Sequence, residues 1–395
     1  MYRFFLTTSF ILFTSIGFSQ RLFTRQDAIN MARTNRINVN PAQLDVQQQR
    51  QLLQGSRGFD NPELEYDIDP YDPMSLGILM PIRFPSVYAT RHGLQKERIR
   101  LSELMLSLNQ YEVNRLVQNT YNEVQYLYAR INLLQQQDSL YQIIKTAAQR
   151  NFEAGQINKL EELFASNEAN NVRNDLERSF IELPAQKKAL SYILNYREDF
   201  IVDSLQPIAT GNMLLELVDT IPDAIRPQIL QQQVVISQQQ LKSVKAELLP
   251  QITTGPFFGL QKKPDGDKKQ GWRIGLSLPL WTNQNRSKIK AAQTGVQLAE
   301  AQRTLEIQDL NRQYSTTLAQ VLREQKSIQY YTKIANQQAV DITATALRLF
   351  GAGQMNYIET VRNIIIAYQT RANYLEAIRN FNQAIIELKY INGTL

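Results

Sequence analysis

Three long stretches of the chain contain neither glycine nor proline, and their apolar residues recur with a helical period. The stretches are residues 94–154, 296–350 and 354–392. They are far longer than the roughly 10–14 residues of an average helix. In the first, the apolar spacing alternates between four and three, which is a heptad pattern. Its positions are Val113, Val117, Thr120, Val124, Leu127, Ile131 and Leu134. The pattern predicts coiled-coil-like helices with polar outer faces.

Two regions show the two-residue period of β-strands instead. In residues 62–84 the apolar positions alternate with acidic or small ones, and they are Leu64, Tyr66, Ile68, Leu76, Ile78, Met80 and Ile82. In residues 250–281 they include Trp272, Ile274, Leu276 and Leu278. Each region is predicted to be a β-hairpin with one apolar and one polar face. Such hairpins are typical of transmembrane β-barrels, but a soluble hairpin packed on a core fits either region equally well.

The chain repeats itself at long range. Residues 150–161, RNFEAGQINKLE, and residues 348–359, RLFGAGQMNYIE, share seven of twelve positions at an offset of 198. The distance from Pro81 to Gly155 is 74 residues, and so is the distance from Pro279 to Gly353. A helix of that length spans about 110 Å. We therefore predict two structural repeats, residues 20–206 and 207–395, each with a helix, a hairpin, a long helix, a turn and a returning helix.

The repeated phrase predicts a helix-reversing turn. Gly155 and Gly353 follow the last helical turn, where a left-handed glycine caps a helix. Asn158 and Asn356 are suitable N-caps for the returning helices, and each precedes a glutamate by three residues. Capping explains these positions but does not explain why the flanking arginine and glutamine also match.

The number of strands bears on assembly. One chain supplies four strands, whereas a closed membrane barrel needs about eight or more. If the hairpins lie in a membrane, three copies give twelve strands above a cylinder of twelve long helices. The predicted fold class is therefore mainly α with a small β part and internal duplication. Long antiparallel helical hairpins form an α-barrel, and four strands per protomer contribute to a 12-stranded trimeric transmembrane β-barrel.

Composition limits the chemistry. The 395 residues include no cysteine and one histidine, His92, so disulfides, thiol nucleophiles and His-rich metal sites are excluded. We therefore expect that the protein is not an enzyme and that it binds neither a metal nor a cofactor. The net charge of +6 is only mildly basic, and four of the lysines lie in one short loop, 261–270, instead of along a stripe, so we expect no nucleic-acid partner. Mean hydropathy is −0.36.

Residues 1–19 are predicted to be a signal peptide, because Arg3 is followed by an apolar run and then by a small-residue cleavage site at 17–19.

Several motifs, taken in their order and spacing, resemble the TolC-like outer membrane efflux protein family. They are LFTRQDAINMARTNR at 22–36, AIRPQILQQQ at 224–233, the strand exits at Pro81 and Pro279, and the duplicated Phe-x-Ala-Gly turn. The resemblance covers nearly the whole mature chain. It implies a homotrimer in outer membrane lipid, with a tunnel across the periplasm that meets a periplasmic adaptor and an inner-membrane pump.

The resemblance also assigns roles to residues. The adaptor-docking tip is expected at Arg150, Phe152, Gly155, Gln156, Asn158, Arg348, Phe350, Gly353, Gln354 and Asn356. Acidic residues after the second turn narrow the bore in family members. Here Glu359 holds the first such position, but Arg362 stands where the second acidic residue is expected. We therefore hypothesise an ion-paired gate, Glu359/Arg362, in place of a ring of two acidic residues. The differences Glu153/Gly351 and Lys159/Tyr357 suggest that the two turns are not interchangeable.

The acidic strand positions give one further expectation. Glu63, Glu65 and Asp67 are expected to face the lumen of the outer mouth and to favour cations, although a solvated strand face explains them equally well. Two rival functions stay open, a soluble periplasmic coiled-coil adaptor or scaffold and, with less support, a periplasmic enzyme with helical arms. The cargo, whether drug, metal ion or polypeptide, is not encoded in any motif that we recognise.

Overall fold

Long antiparallel helices run between a four-stranded sheet and two tight turns. The computed structural model describes residues 21–34, 40–69, 72–208, 224–262, 268–279 and 282–395. The predicted signal peptide 1–19 and the centre of the basic loop 261–270 lie outside the described residues.

The first half of the chain contains eight described elements. They are β1 Arg21–Phe23, α1 Arg25–Thr34, α2 Asn40–Gly55, β2 Glu63–Asp69, β3 Asp72–Arg83, α3 Pro85–Glu153, α4 Lys159–Leu194 and β4 Phe200–Val202. Helix α3 begins with Pro85, and proline suits the first helical position because that residue's N–H has no partner within the helix. With 69 residues and no glycine after residue 93, α3 extends over about 100 Å.

The second half repeats this order. Its described elements are α5 Ile225–Glu247, β5 Gln251–Lys262, β6 Lys268–Ser277, α6 Thr282–Tyr330, α7 Asn336–Gly351 and α8 Tyr357–Asn392. A π-helical turn, Tyr331–Ala335, joins α6 to α7 and interrupts the helix that the sequence predicts to be continuous. The Tyr331 ring packs 5.3 Å from Tyr330 and 6.2 Å from Tyr374 of α8. The spacing of glycine and proline in the sequence gives no warning of this π turn.

The returning helices reach only half the height of the rod. Helices α4 and α8 have 36 residues each, which corresponds to about 54 Å. At mid-height β1 pairs in parallel with β4, and Leu22 lies opposite Ile201. A cluster of buried side chains surrounds this pair and joins it to α1, α3 and α4; it includes Phe23, Ala28, Tyr121, Leu190 and Phe200. A second buried cluster, in the tip half, joins α3, α4 and α8 and includes Tyr141, Val361 and Ile364. The predicted heptad seam of α3 is largely buried, whereas the outer helix faces are polar and exposed.

Candidate functional site

Both predicted turns are glycine-capped helix ends. Gly155 and Gly353 have φ angles of 72° and 68°, in the left-handed region. In the first turn the N–H of Gly155 donates to the carbonyl of Phe152 at 2.9 Å, and the next N–H donates to the carbonyl of Asn151 at 2.8 Å. The second turn repeats this pair of bonds at 3.0 and 2.9 Å. The two bonds form a Schellman motif, and the predicted caps are confirmed.

The N-caps of the returning helices are also as predicted. Asn158 Oδ1 accepts the N–H of Glu161 at 3.0 Å, and Asn356 Oδ1 accepts the N–H of Glu359 at 2.8 Å. The reciprocal bond of a capping box, from the Asn158 N–H to the Glu161 carboxylate, is present at 3.1 Å. Among the described contacts, the second turn has no such bond. The first returning helix therefore has a complete capping box, and the second has only the N-cap bond.

These caps give a prediction about local stability. Replacing Asn158 or Asn356 by alanine removes one cap bond, which is worth about 1 kcal/mol. We expect hydrogen exchange of the Glu161 or Glu359 amide to accelerate about fivefold. Gln156→Ala is the matched control, because that exposed side chain makes no hydrogen bond in the described structure. Unchanged exchange in both cap variants would contradict the assignment.

The two turns contact each other through residues that differ between the repeats. Asn151 Nδ2 donates to Tyr357 Oη at 2.8 Å. Tyr357 is only 4% exposed, its ring lies 4.6 Å from Phe350 in an edge-to-face contact, and burial raises its pKa. The equivalent residue of the first repeat, Lys159, instead covers the Phe152 ring at 4.7 Å and pairs with Glu162 at 2.5 Å. Position 357 thus holds the turns together, whereas position 159 lies on the outside.

Most residues of the predicted docking tip are exposed. Phe350 is half-buried against Tyr357, and the other nine residues are accessible: Arg150, Phe152, Gly155, Gln156, Asn158, Arg348, Gly353, Gln354 and Asn356. The two turns bring all ten residues to one end of the rod. The end presents two arginines, two glutamines and the exposed Phe152 ring, and Leu160 beside the first turn is 67% exposed.

The predicted gate residues lie in the first turns of α8. Glu359 and Arg362 are both exposed, and in the described part of this protomer no ion pair joins them. The backbone of Glu359 is fixed at both sides, since its N–H binds Asn356 and its carbonyl accepts Asn363 Nδ2 at 2.9 Å. The structure thus orients the backbone of this turn and leaves both charged side chains exposed.

The two hairpins join into one antiparallel sheet of order β2-β3-β5-β6. Its register places Leu64 opposite Ile78, Ile82 opposite Ile252, and Ile252 opposite Leu276. These residues belong to one apolar face that spans all four strands and is largely exposed. The most exposed side chains of that face are Leu64, Ile68, Phe258, Trp272, Ile274 and Leu276. We call this surface the apolar sheet face.

The opposite surface, the polar sheet face, carries the acidic residues of β2 together with an arginine of β6. Arg273 forms ion pairs with Glu65 and, at 3.3 Å, with Asp67. Its guanidinium also lies 5.3 Å from the centre of the Phe257 ring. The role of Arg273 was not predicted from the sequence, although Arg273 is the only charged residue at the polar positions of residues 271–277. The polar face is therefore less acidic than the alternation in β2 alone suggests.

A buried polar network fixes the segment that follows β4. Tyr121 Oη lies 2.6 Å from both the Phe23 carbonyl and Asp203 Oδ1. Burial raises the pKa of the Tyr121 phenol, and its hydrogen bond to Asp203 raises it further. Asn382 of α8 donates to the carbonyl of Gln206 and accepts the N–H of Ile208, each at 2.9 Å. This network ties the start of the inter-repeat connection to α3 and α8.

Two further features of the described residues bear on other classes of function. None of the helices in the described ranges combines the length and apolar character needed to cross a bilayer. The same ranges contain no group of three or more His, Cys, Asp or Glu side chains arranged to hold a metal ion.

Solved structures share this architecture over almost its whole length. VceC of Vibrio cholerae, an outer membrane protein, has a TM-score of 0.75 and 14% identity, with 93% of this chain and 96% of that one covered. The CmeC outer membrane channel of Campylobacter jejuni has a TM-score of 0.76 and 12% identity, with coverage of 94% and 85%. The open-state MtrE outer membrane channel of Neisseria gonorrhoeae has a TM-score of 0.72 and 12% identity, with coverage of 93% and 88%.

The fold is that of the helical channels of the outer membrane. Residues 226–394 match the model of the outer membrane efflux protein family. That is a family of channels, and the match to the second repeat confirms the resemblance seen in the sequence. The match favours an outer membrane channel over the soluble periplasmic adaptor. No curated protein is similar enough in sequence to count as a match.

Proposed function

We propose that three copies of the protein form one outer membrane duct. The observation that carries this proposal is the exposed apolar sheet face, which spans four strands and includes Ile274, 73% exposed. The edge strands β2 and β6 have unpaired edges in the protomer, and three sheets joined edge to edge give a closed barrel of twelve strands. Closure satisfies every edge hydrogen bond, which a lipid environment requires.

Exposed apolar residues on the helices support the same assembly. Leu298, Leu305 and Leu322 of α6 are 57%, 65% and 47% exposed. The first two are seven residues apart, so they occupy one face of the helix. We infer that this face packs against the neighbouring protomer, and that twelve long helices enclose a water-filled tunnel through the periplasm.

In this proposal the tip turns meet the rest of an export system. A periplasmic adaptor contacts the docking tip, and an inner-membrane pump delivers the substrate to the tunnel. The exposed end of the rod, which combines polar side chains with apolar ones such as Phe152 and Leu160, supports this assignment. The protein acts as a passage without catalysis and without a cofactor. The division into a signal peptide, residues 1–19, and repeats at 20–206 and 207–395 is part of the proposal.

Glu359 and Arg362 are proposed to line the gate at the periplasmic end. Since a charged ring in a narrow aqueous pore controls ion passage, Glu359→Ala is expected to change single-channel conductance by roughly twofold. Glu161→Ala is the matched control, because Glu161 holds the same position in the first repeat. If Glu359→Ala left conductance unchanged, Glu359 would not line the gate.

The proposed function itself is tested on the purified full-length protein. We expect detergent to be required for extraction from envelopes, cross-linking to give trimers, and reconstitution into planar bilayers to give discrete channels. A protein that salt alone releases from envelopes and that stays monomeric would be a periplasmic scaffold, and the duct proposal would fail.

A further inference from the structure

Arg273 crosses the polar sheet face from one edge strand to the other. It belongs to β6, whereas its partners Glu65 and Asp67 belong to β2, and β3 and β5 lie between them. Three strand spacings amount to roughly 14 Å in a flat sheet. The contact therefore requires the sheet to curl towards its polar face, and it leaves the guanidinium lying across that face instead of pointing away from it.

Glycines in the neighbouring strands make room for this arrangement. A Cβ on Gly271 would lie 2.9 Å from the Phe257 ring, and a Cβ on Gly77 would lie 3.4 Å from Phe257 Cβ and 3.8 Å from the Glu65 carboxylate. A larger residue at Gly271 would displace the ring on which the guanidinium rests, whereas a Cβ at Gly77 would only make van der Waals contact with it. Phe257 supplies a cation–π platform, so Arg273 is held in place by an aromatic ring and by two carboxylates.

The charge balance of the polar face depends on this residue. The described strands place three carboxylates there, from Glu63, Glu65 and Asp67, and Arg273 is the cation paired with two of them. Rings of charged side chains set the ion preference of a pore. An arginine fixed among such carboxylates weakens the preference for cations that they would otherwise impose.

We propose that Arg273 is a specificity-determining residue of the outer mouth, which limits cation selectivity and keeps the exit open to anionic solutes. The inference rests on the proposed trimeric duct, in which the polar sheet face lines the bore. It replaces the expectation that the acidic residues of β2 act alone there.

The test measures the reversal potential of reconstituted channels in a potassium chloride gradient. Arg273→Gln is expected to raise the cation-to-anion permeability ratio about two- to threefold, because three lost unit charges each act across roughly one Debye length of water. Arg273→Lys keeps the charge and is expected to retain the parent ratio. Arg50→Gln is the matched control, since it removes an exposed arginine that is paired with Glu103 on the helices at 2.7 Å.

The other outcomes are equally informative. Arg273→Gln channels with normal conductance and an unchanged ratio would overturn the proposal. If this variant fails to assemble, the double variant Glu65→Gln with Asp67→Asn replaces it, and the ratio must then fall by a similar factor or the proposal is wrong. A parent protein that forms no channels at all would refute the duct itself, which separates the two failures.

Discussion

Replacing Ile274 by arginine is expected to prevent stable insertion of the protein into the outer membrane. Ile274 is 73% exposed in the protomer and lies on β6 between Trp272 and Leu276, which are also exposed. An arginine on the lipid side of a β-barrel costs about 2–4 kcal/mol at the middle of the bilayer. A trimer carries the substitution three times, so the total penalty is on the order of 10 kcal/mol. That is comparable with the whole folding stability of a typical domain.

The measurement is the amount of trimer recovered from the outer membrane fraction, compared with the protein left in the periplasm. Ser277→Arg is the matched control, since Ser277 lies three residues further along the same strand on the polar sheet face. It adds the same charge without placing it against lipid. Wild-type trimer yield in Ile274→Arg would show that the apolar sheet face does not contact lipid, and the barrel proposal would then be wrong.

The tip turns were predictable because their chemistry is local. A left-handed glycine and an asparagine N-cap each act within a few residues, so the phrase around Gly155 and Gly353 was sufficient. The equal spacing of 74 residues then gave the length of the rods. The sequence also indicated that the turns differ, and Lys159 and Tyr357 do have different contacts. The structural effect of that difference could not be predicted, because Tyr357 binds Asn151, which lies 206 residues away in the sequence.

The strands were predictable and their arrangement was not. Alternation identifies a strand and its two faces, and both hairpins appear where the pattern placed them. No local signal states that β3 pairs with β5 to join the hairpins into one sheet. The role of Arg273 depends on that pairing, because only the assembled sheet brings β6 across to Glu65 and Asp67. The π turn at Tyr331–Ala335 was also not predicted. It is accompanied by packing of Tyr331 against Tyr374, a contact that no local sequence pattern indicates.

The connection between the repeats was the least predictable part. Residues 203–208 have no regular secondary structure, and their hydrogen-bond partners lie far away in sequence. Asn382 is separated from Gln206 by 176 residues and from Asn122 by 260. A polar residue inside the otherwise apolar stripe of α8 was the one available signal, because a buried amide needs partners.

Asn382→Leu is expected to lower the stability of the protein by about 3–5 kcal/mol. The side chain is fully buried, and its Nδ2 donates to Gln206 O and to Asn122 Oδ1, both at 2.9 Å. Its Oδ1 accepts the N–H of Ile208. Leucine has nearly the same size but leaves these groups buried without partners, and each such group costs about 1–3 kcal/mol. The connection after β4 then loses its attachment to α8.

Two measurements separate this effect from a general loss of packing. The thermal midpoint of the detergent-solubilised protein should fall, and limited proteolysis should cut the chain within residues 203–208 well below that midpoint. Asn373→Leu is the matched control on the same helix, because Asn373 accepts only an exposed hydrogen bond from Gln369. If Asn382→Leu lowers the midpoint without opening the connection to protease, the network stabilises the helix bundle and does not anchor the connection. If neither the thermal midpoint nor the cleavage changes, the buried hydrogen bonds of Asn382 make no net contribution to stability. They would then be no stronger than the hydrogen bonds that the same groups make to water in the unfolded chain.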